Sequence, residues 1–218
     1  MKTLICVPCM DQVPALFAQC LTTLKKAGEC VVMFNLGSLI YSSRDTLATK
    51  AITSEADFVL WLDSDMVFSP DTLENMLATM EARQDIDILT GLYFRRTTPY
   101  TPVLFEKLDI DADEKCTYKE FDEIPGELFE VAACGFGCVL MRAEIFLDVQ
   151  SRYGQMFAPI GRTGEDVAFC WRARQCGARI YCDPKIELGH VGYTVINRAF
   201  YESFHSIPEV KDGNNRQR

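Results

Sequence analysis

Phe58-Val-Leu-Trp-Leu-Asp63-Ser-Asp65 decides the reading of this chain: a short apolar run that ends in two carboxylates flanking a serine. A continuous apolar run of this length bounded by polar residues is the pattern of a strand buried on both faces. In an extended segment alternate side chains point the same way, so Asp63 and Asp65 are expected to project to one side and Ser64 to the other. Two oxygen ligands then converge on one point, the donor set that hard divalent cations prefer when phosphate oxygens supply the rest. A polar turn leading into the helix after Pro70 is the competing reading, because Asp, Ser and Pro are ordinary turn residues.

Working outward, strands and helices alternate on both sides of this segment. Leu4–Val7, Cys30–Phe34 and Asp57–Leu62 read as strands, and Ile86–Tyr93 as a fourth. Val13–Leu24 carries an apolar stripe at helical spacing, Asp45–Ser54 reads as a short helix, and Ser69 and Pro70 suit the N-cap and first position of a third. That alternation implies an α/β fold with a mainly parallel central sheet flanked by helices. Ligands of such sheets bind beyond the carboxyl ends of the strands, which places Pro8–Asp11, Asn35–Ser38 and Asp63–Asp65 on one rim. The second half is less regular. Thr101–Lys107 and Leu128–Ala133 read as strands of a smaller antiparallel portion, Asp109–Lys119 as a charged excursion, and a helix starts near Ala143. Within Cys134-Gly-Phe-Gly-Cys138 the glycines permit either a bend or a close approach of substrate to the backbone.

Composition bounds the partners. A net charge of -9 over 218 residues argues against a protein that grips nucleic acid by neutralising phosphates. No apolar run reaches the roughly 18 residues of a membrane span, and Met1–Pro8 lacks a signal-peptide pattern. The ten cysteines are therefore expected to be reduced thiols of a cytoplasmic protein, with Cys6-x-x-Cys9 packed in a strand and not holding zinc. No G-x-G-x-x-G or Walker A pattern occurs.

Two further candidates lie downstream. Gly164-Glu165-Asp166 opens a helix over Val167–Cys176 that Gly177 ends. Thr163-x-x-Asp166 resembles a capping box, and the other reading makes one of the two carboxylates a general base, since a helix N-terminus favours the ionised form. His190, in Glu187-Leu-Gly-His-Val-Gly192, is either a structural residue among apolar neighbours or a metal ligand.

Together, the strand-carboxylate segment, Gly164-Glu-Asp-x-x-Phe-x-x-Arg-x-x-x-x-Gly177, Asp183-Pro184 and Gly189-His-x-Gly192 resemble the GT-A fold glycosyltransferases, family 2-like. Val7-Pro8 followed by Leu16, Cys20 and Leu24, and Ser43-Arg44-Asp45 with Ala48 and Ala51, extend the resemblance over residues 1 to about 193. It implies one domain over 1–196, with a nucleotide-binding half of about 1–95 and an acceptor half of about 96–196, followed by a tail over 197–218. It implies that Asp65, with Asp63 and His190, holds Mn²⁺ or Mg²⁺. Asp166 is implied as the base of an inverting reaction, supported by Glu165. Pro8, Cys9, Met10, Asp11, Asn35, Arg44, Asp63, Ser64 and Arg95 are implied to bind a nucleoside-diphosphate sugar, UDP-linked before GDP-linked, and Arg96 to face the diphosphate or the acceptor. The acceptor would be a glycan, lipid-linked or other hydroxyl. Met10-Asp11 and Phe34-Asn35-Leu36-Gly37 depart from patterns common in that group, leaving base preference open, and Leu60–Asp65 also resembles some retaining mannosyltransferases. A sugar nucleotidyltransferase is the alternative enzyme, although its glycine-rich basic loop is absent. A non-catalytic nucleotide-sugar-binding module is the alternative without chemistry. Phe200, Phe204 and Ile207 of the tail are expected to cover the cleft or meet a partner.

Overall fold

A computed structural model describes residues 1–192 and 195–206. Ile207 and the rest of the tail to Arg218 lie outside the described residues.

The elements run β1 (Lys2–Cys9), α1 (Ala15–Thr23), β2 (Glu29–Leu36), α2 (Ile40–Thr53), β3 (Phe58–Leu62), β4 (Met66–Val67), α3 (Thr72–Ala82) and β5 (Ile88–Leu92). They continue with β6 (Leu104–Ile110), β7 (Cys116–Glu120), β8 (Phe129–Glu130), β9 (Ala133–Cys134), β10 (Cys138–Arg142) and α4 (Glu144–Tyr153). The chain then forms α5 (Glu165–Gln175), β11 (Ile180–Glu187), β12 (Gly189–Val191), β13 (Val195–Ile196) and α6 (Arg198–Ser206). The main sheet has seven strands in the order β2-β1-β3-β10-β5-β11-β8. β1, β2, β3, β5 and β11 share one direction, as expected of a mainly parallel sheet, while β10 and β8 oppose them. A separate antiparallel sheet, β7-β6-β9, supplies the smaller portion in the second half.

Burial explains the sheet. Every residue of β3 and β5 is buried, which is why neither strand shows polar alternation. Leu4, Val59, Trp61, Val139 and Met141 face one layer of the core, with α2, α4 and α5, while Ile5, Leu60, Leu62 and Leu140 face the other, with Met76 and Met80 of α3. Trp61 is fully buried and meets Phe146 and Phe157 edge-on at centroid distances of 6.2 and 5.3 Å.

Local details differ from the sequence reading. α2 begins at Ile40, five residues before Asp45, because Ser43 N donates to Leu39 O and the Asn35 amide bonds the Ser43 hydroxyl, drawing that stretch into the first turn. α3 begins at Thr72: Ser69-Pro70-Asp71 forms a preceding turn in which Thr72 N donates to Ser69 O at 3.1 Å. The charged excursion holds a strand, β7, hairpinned to β6 through Ile110↔Cys116. Leu128–Ala133 divides between two sheets, with β8 on β11 and β9 on β6. The insertion of β10 antiparallel between β3 and β5 has no signal in an apolar run that would suit either direction.

The rim of the sheet is where these choices matter. β1, β2, β3 and β5 end there and β10 begins there, with Asp63 N donating to Gly137 O at 3.0 Å. A third sheet, β13-β12-β4, ties the segment after β3 to the segment after β11, pairing His190 with Met66.

Candidate active site

Asp63 and Asp65 lie in a turn, not in an extended strand: Met66 N donates back to Asp63 O at 3.1 Å. This corrects the alternation argument, because the two carboxylates take different partners. Asp63 Oδ1 accepts from Arg44 Nη2 at 2.8 Å, whereas Asp65 Oδ2 lies 2.9 Å from Arg96 Nη1 and 3.5 Å from His190 Nε2. Partial burial works against the Asp65 charge, but the imidazole of His190 and the Arg96 guanidinium hold its carboxyl below the usual range.

The β4–β12 pairing brings His190 to Asp65, and Val191 N also donates to Asp65 O at 2.7 Å. Gly189 allows it, since a Cβ there would sit 2.5 Å from Val195 Cγ1. His190 Nδ1 is 2.9 Å from Phe94 O, a carbonyl that can only accept, so Nδ1 carries the proton. Nε2 is the nitrogen left to face Asp65, where it can donate to the carboxylate or, once it has given up its proton, ligate a metal.

Arg44 is the buried strut of the site. It is 2% exposed, packed at about 5.5 Å from the centroid of Trp61 and 5.3 Å from that of Phe136, and bonds Asp63 on one side and Glu165 Oε1 on the other at 3.2 Å. It therefore reaches open space only through those carboxylates. One of its donors, Nη1, has no hydrogen-bond partner among the described residues.

Asp166 sits in the first turn of α5. No capping box forms: the N-cap is Gly164, the Thr163 hydroxyl has no partner, and Asp166 Oδ1 accepts from its neighbour Val167 N at 2.7 Å. Burial, with the charge of Glu165 adding to it, pushes the Asp166 carboxyl up to about 6. A carboxylate with that affinity takes up a proton more readily than a solvent-exposed one and is still ionised at neutral pH.

Tyr93 braces the other wall. Its ring meets His190 edge-on at 5.7 Å, and its hydroxyl accepts from Gly137 N at 3.0 Å. The glycines of 134–138 serve this packing: a Cβ on Gly137 would sit 2.8 Å from Tyr93 Cζ and 2.9 Å from Met66 Sδ, and one on Gly135 would overlap the Tyr93 hydroxyl. The geometry requires these glycines for close packing against Tyr93, a role beside the bend or substrate approach that the sequence suggested.

Two adjoining cavities divide these residues. One of about 240 Å³ is lined by Pro8, Cys9, Met10, Ser64 and both aspartates, together with Gly37, Ser38 and Ile40. The second, about 360 Å³, brings Asp63, Asp65, Arg95, Arg96, Asp166 and His190 together. Asp11 and Asn35 line neither; the Asn35 amide is spent on Ser43. Tyr93, Phe136 and Val103, also in the second cavity, carried no site signal in the sequence, being apolar or aromatic residues of core-like runs. Among the described residues no group of three or more His, Cys, Asp or Glu side chains is arranged to hold a metal. The pair that comes nearest is Asp65 with His190, one carboxylate and one imidazole, a set that fits a cation whose remaining ligands come from phosphate.

A model of glycosyl transferase family 2 matches residues 46–149, a span that contains Asp63 and Asp65 but ends before Asp166 and His190. Among solved structures the chain is similar to the A197 protein from STIV, over 90% of this chain and 94% of that one, at 19% identity and a TM-score of 0.64. It is also similar to GalNAc-T7, solved with UDP, GalNAc and Mn²⁺, over 88% of this chain and 44% of that one, at 12% identity and a TM-score of 0.60. No curated protein matches it in sequence. No helix among the described residues is long and apolar enough to cross a membrane.

Proposed function

We propose that this chain, a GT-A fold glycosyltransferase of the family 2-like kind, moves a sugar from a nucleoside diphosphate to an acceptor hydroxyl with a divalent cation bound and with inversion at the anomeric carbon. The observation that carries the reading is the convergence of Asp65, His190, Arg96 and Asp166 on one cavity at the carboxyl ends of the strands.

Pro8, Cys9 and Met10 would line the nucleoside end, with Gly37, Ser38 and Ile40 opposite, and Ser64 between the two aspartates. UDP is the first donor base to test and GDP the second. Asp65 and His190 Nε2 would hold Mn²⁺ or Mg²⁺, and Asp63, kept in place by Arg44, would face the cation or the ribose. When bound, the cation supplies Lewis-acid stabilisation of the departing diphosphate. Arg95 and Arg96 add positive charge on the same side, where negative charge grows as the glycosidic bond breaks. Asp166 takes the proton of the acceptor hydroxyl as that oxygen attacks the anomeric carbon from the face opposite the diphosphate. Glu165, through its bond to Arg44, fixes the start of α5 and with it Asp166. We further assign residues 1–95 to the donor and 96–196 to the acceptor, and a cytoplasmic location, supported by ten cysteines that are all free thiols.

Nucleoside diphosphate release from a panel of UDP- and GDP-sugars, with Mn²⁺, tests the reading. Release is expected from at least one donor and to fall at least about a hundredfold in Asp166→Asn, the scale of general-base contributions. Release of pyrophosphate from a nucleoside triphosphate and a sugar phosphate would replace it with nucleotidyl transfer.

A further inference from the structure

A third and larger cavity, about 750 Å³, lies between the β6–β7 hairpin and the loop that leads into α5. Its volume falls within the range of about 300–1,000 Å³ common to small-molecule sites. Arg95 lines both this cavity and the one that holds Asp166, and Thr163 and Gly164 on its wall immediately precede Glu165 and Asp166. The two spaces are thus neighbours along the same strand end and the same helix start.

We propose that this hairpin cavity seats a saccharide acceptor, with Tyr118 as its stacking platform and Lys115 and Arg162 as hydrogen-bond donors on its wall. The inference rests on the transferase reading and names the class of acceptor. Tyr118 is 59% exposed, and its ring is held edge-on against the buried Phe105 at 5.2 Å. A fixed, open aromatic ring suits the C–H face of a pyranose. Around it the lining is polar but of mixed sign: Asp113 and Glu114 against Lys115 and Arg162, with Arg95 already neutralised by Glu120 at 2.8 Å. Neither Lys115 nor Arg162 forms an ion pair among the described residues. Donors and acceptors without a surplus of either charge fit a neutral polyol better than a phosphate-rich ligand.

The far end of the cavity is closed by a tight contact: Gly161, at φ +56°, leaves no room for a Cβ, which would sit 2.7 Å from Glu114 O. The hairpin turn and the loop before α5 are therefore held together as one wall.

Saturation-transfer NMR with trisaccharides of glucose, galactose, mannose and N-acetylglucosamine, recorded on the full chain with and without UDP and Mn²⁺, tests this. At least one trisaccharide should bind, with Kd raised roughly fivefold or more in Tyr118→Ala and also raised in Arg162→Ala. Leu147→Ala, an exposed position on α4, should leave it unchanged. Thermal midpoints verify that each variant is folded. Absence of any saccharide signal from protein that binds a nucleoside diphosphate would overturn the acceptor inference and leave the donor reading intact. Undiminished binding in folded Tyr118→Ala and Arg162→Ala would overturn it as well. Saccharide binding lost in Tyr118→Ala, with no nucleotide binding at all, would uphold the saccharide site and remove the transferase reading.

Discussion

Arg96 places Nη1 2.9 Å from Oδ2 of Asp65, the same oxygen that faces His190 Nε2 at 3.5 Å. A guanidinium thus covers the carboxylate where a cation would bind, and Arg96 also bonds Val191 O at 3.3 Å. Cation binding has to share or displace this contact. Ion pairs this exposed are worth about 0.2–1 kcal/mol. Arg96→Ala is therefore predicted to tighten Mn²⁺ binding to the nucleotide-free protein by up to about fivefold, measured by calorimetry, while weakening binding of the diphosphate.

Removing Arg44 leaves Asp63 and Glu165 without their shared partner and opens a hole between Trp61 and Phe136. Breaking a buried pair from one side costs about 3–5 kcal/mol. Arg44→Ala should show that loss in urea unfolding, and Arg44→Lys should recover only part of it, because an ammonium cannot offer both carboxylates the same fork.

Gly137→Ala tests the packing of the Tyr93 wall. The added Cβ meets Tyr93 Cζ at 2.8 Å and Met66 Sδ at 2.9 Å, so the ring that braces His190 must move. Overpacking of this kind costs about 1–3 kcal/mol. Thermal unfolding should register that cost, and transfer activity should fall with it.

The carboxyl of Asp166, raised from 3.8 to about 6, sets two opposite pH trends. Between pH 4 and 6 the folded protein holds a proton at this position that the unfolded chain has lost, so this group's contribution to stability declines as pH rises through that window. Activity runs the other way. As a base Asp166 works only when ionised, so kcat/KM should climb on an acidic limb at or below about pH 6, the lower value applying once a cation is bound nearby. Asp166→Asn should abolish the limb and gain stability above pH 6, seen by comparing thermal midpoints at pH 5 and pH 8.

How much of this was legible varies by residue type. The buried run of β3 and the apolar stripe of α3 can be read from spacing, because burial on two faces or on one stripe leaves a periodic mark. The direction of β10 could not be read, since apolar residues that pair antiparallel look the same as those that pair in parallel. Asp63, Asp65, Asp166 and His190 stood out as polar residues at the ends of apolar segments, but their geometry did not. The turn at Ser64 was one of the two readings its residues offered, whereas the ring orientation of His190 set by Phe94 O and the burial of Arg44 depend on contacts between segments 19 to 121 residues apart. Tyr118 hid in a run of charges, because alternation on a short edge hairpin resembles a loop.

Titration of UDP, GDP, CDP and dTDP into the protein by calorimetry, with and without Mn²⁺, for wild type and Asp65→Ala, tests the cation-dependent donor site. At least one nucleotide is predicted to bind about tenfold or more tighter with Mn²⁺, a gain of about 1.4 kcal/mol, and to lose that gain in Asp65→Ala. Failure of all four to bind folded wild-type protein, or binding indifferent to both Mn²⁺ and Asp65, would mean that Asp65 does not hold a cation for a nucleotide donor.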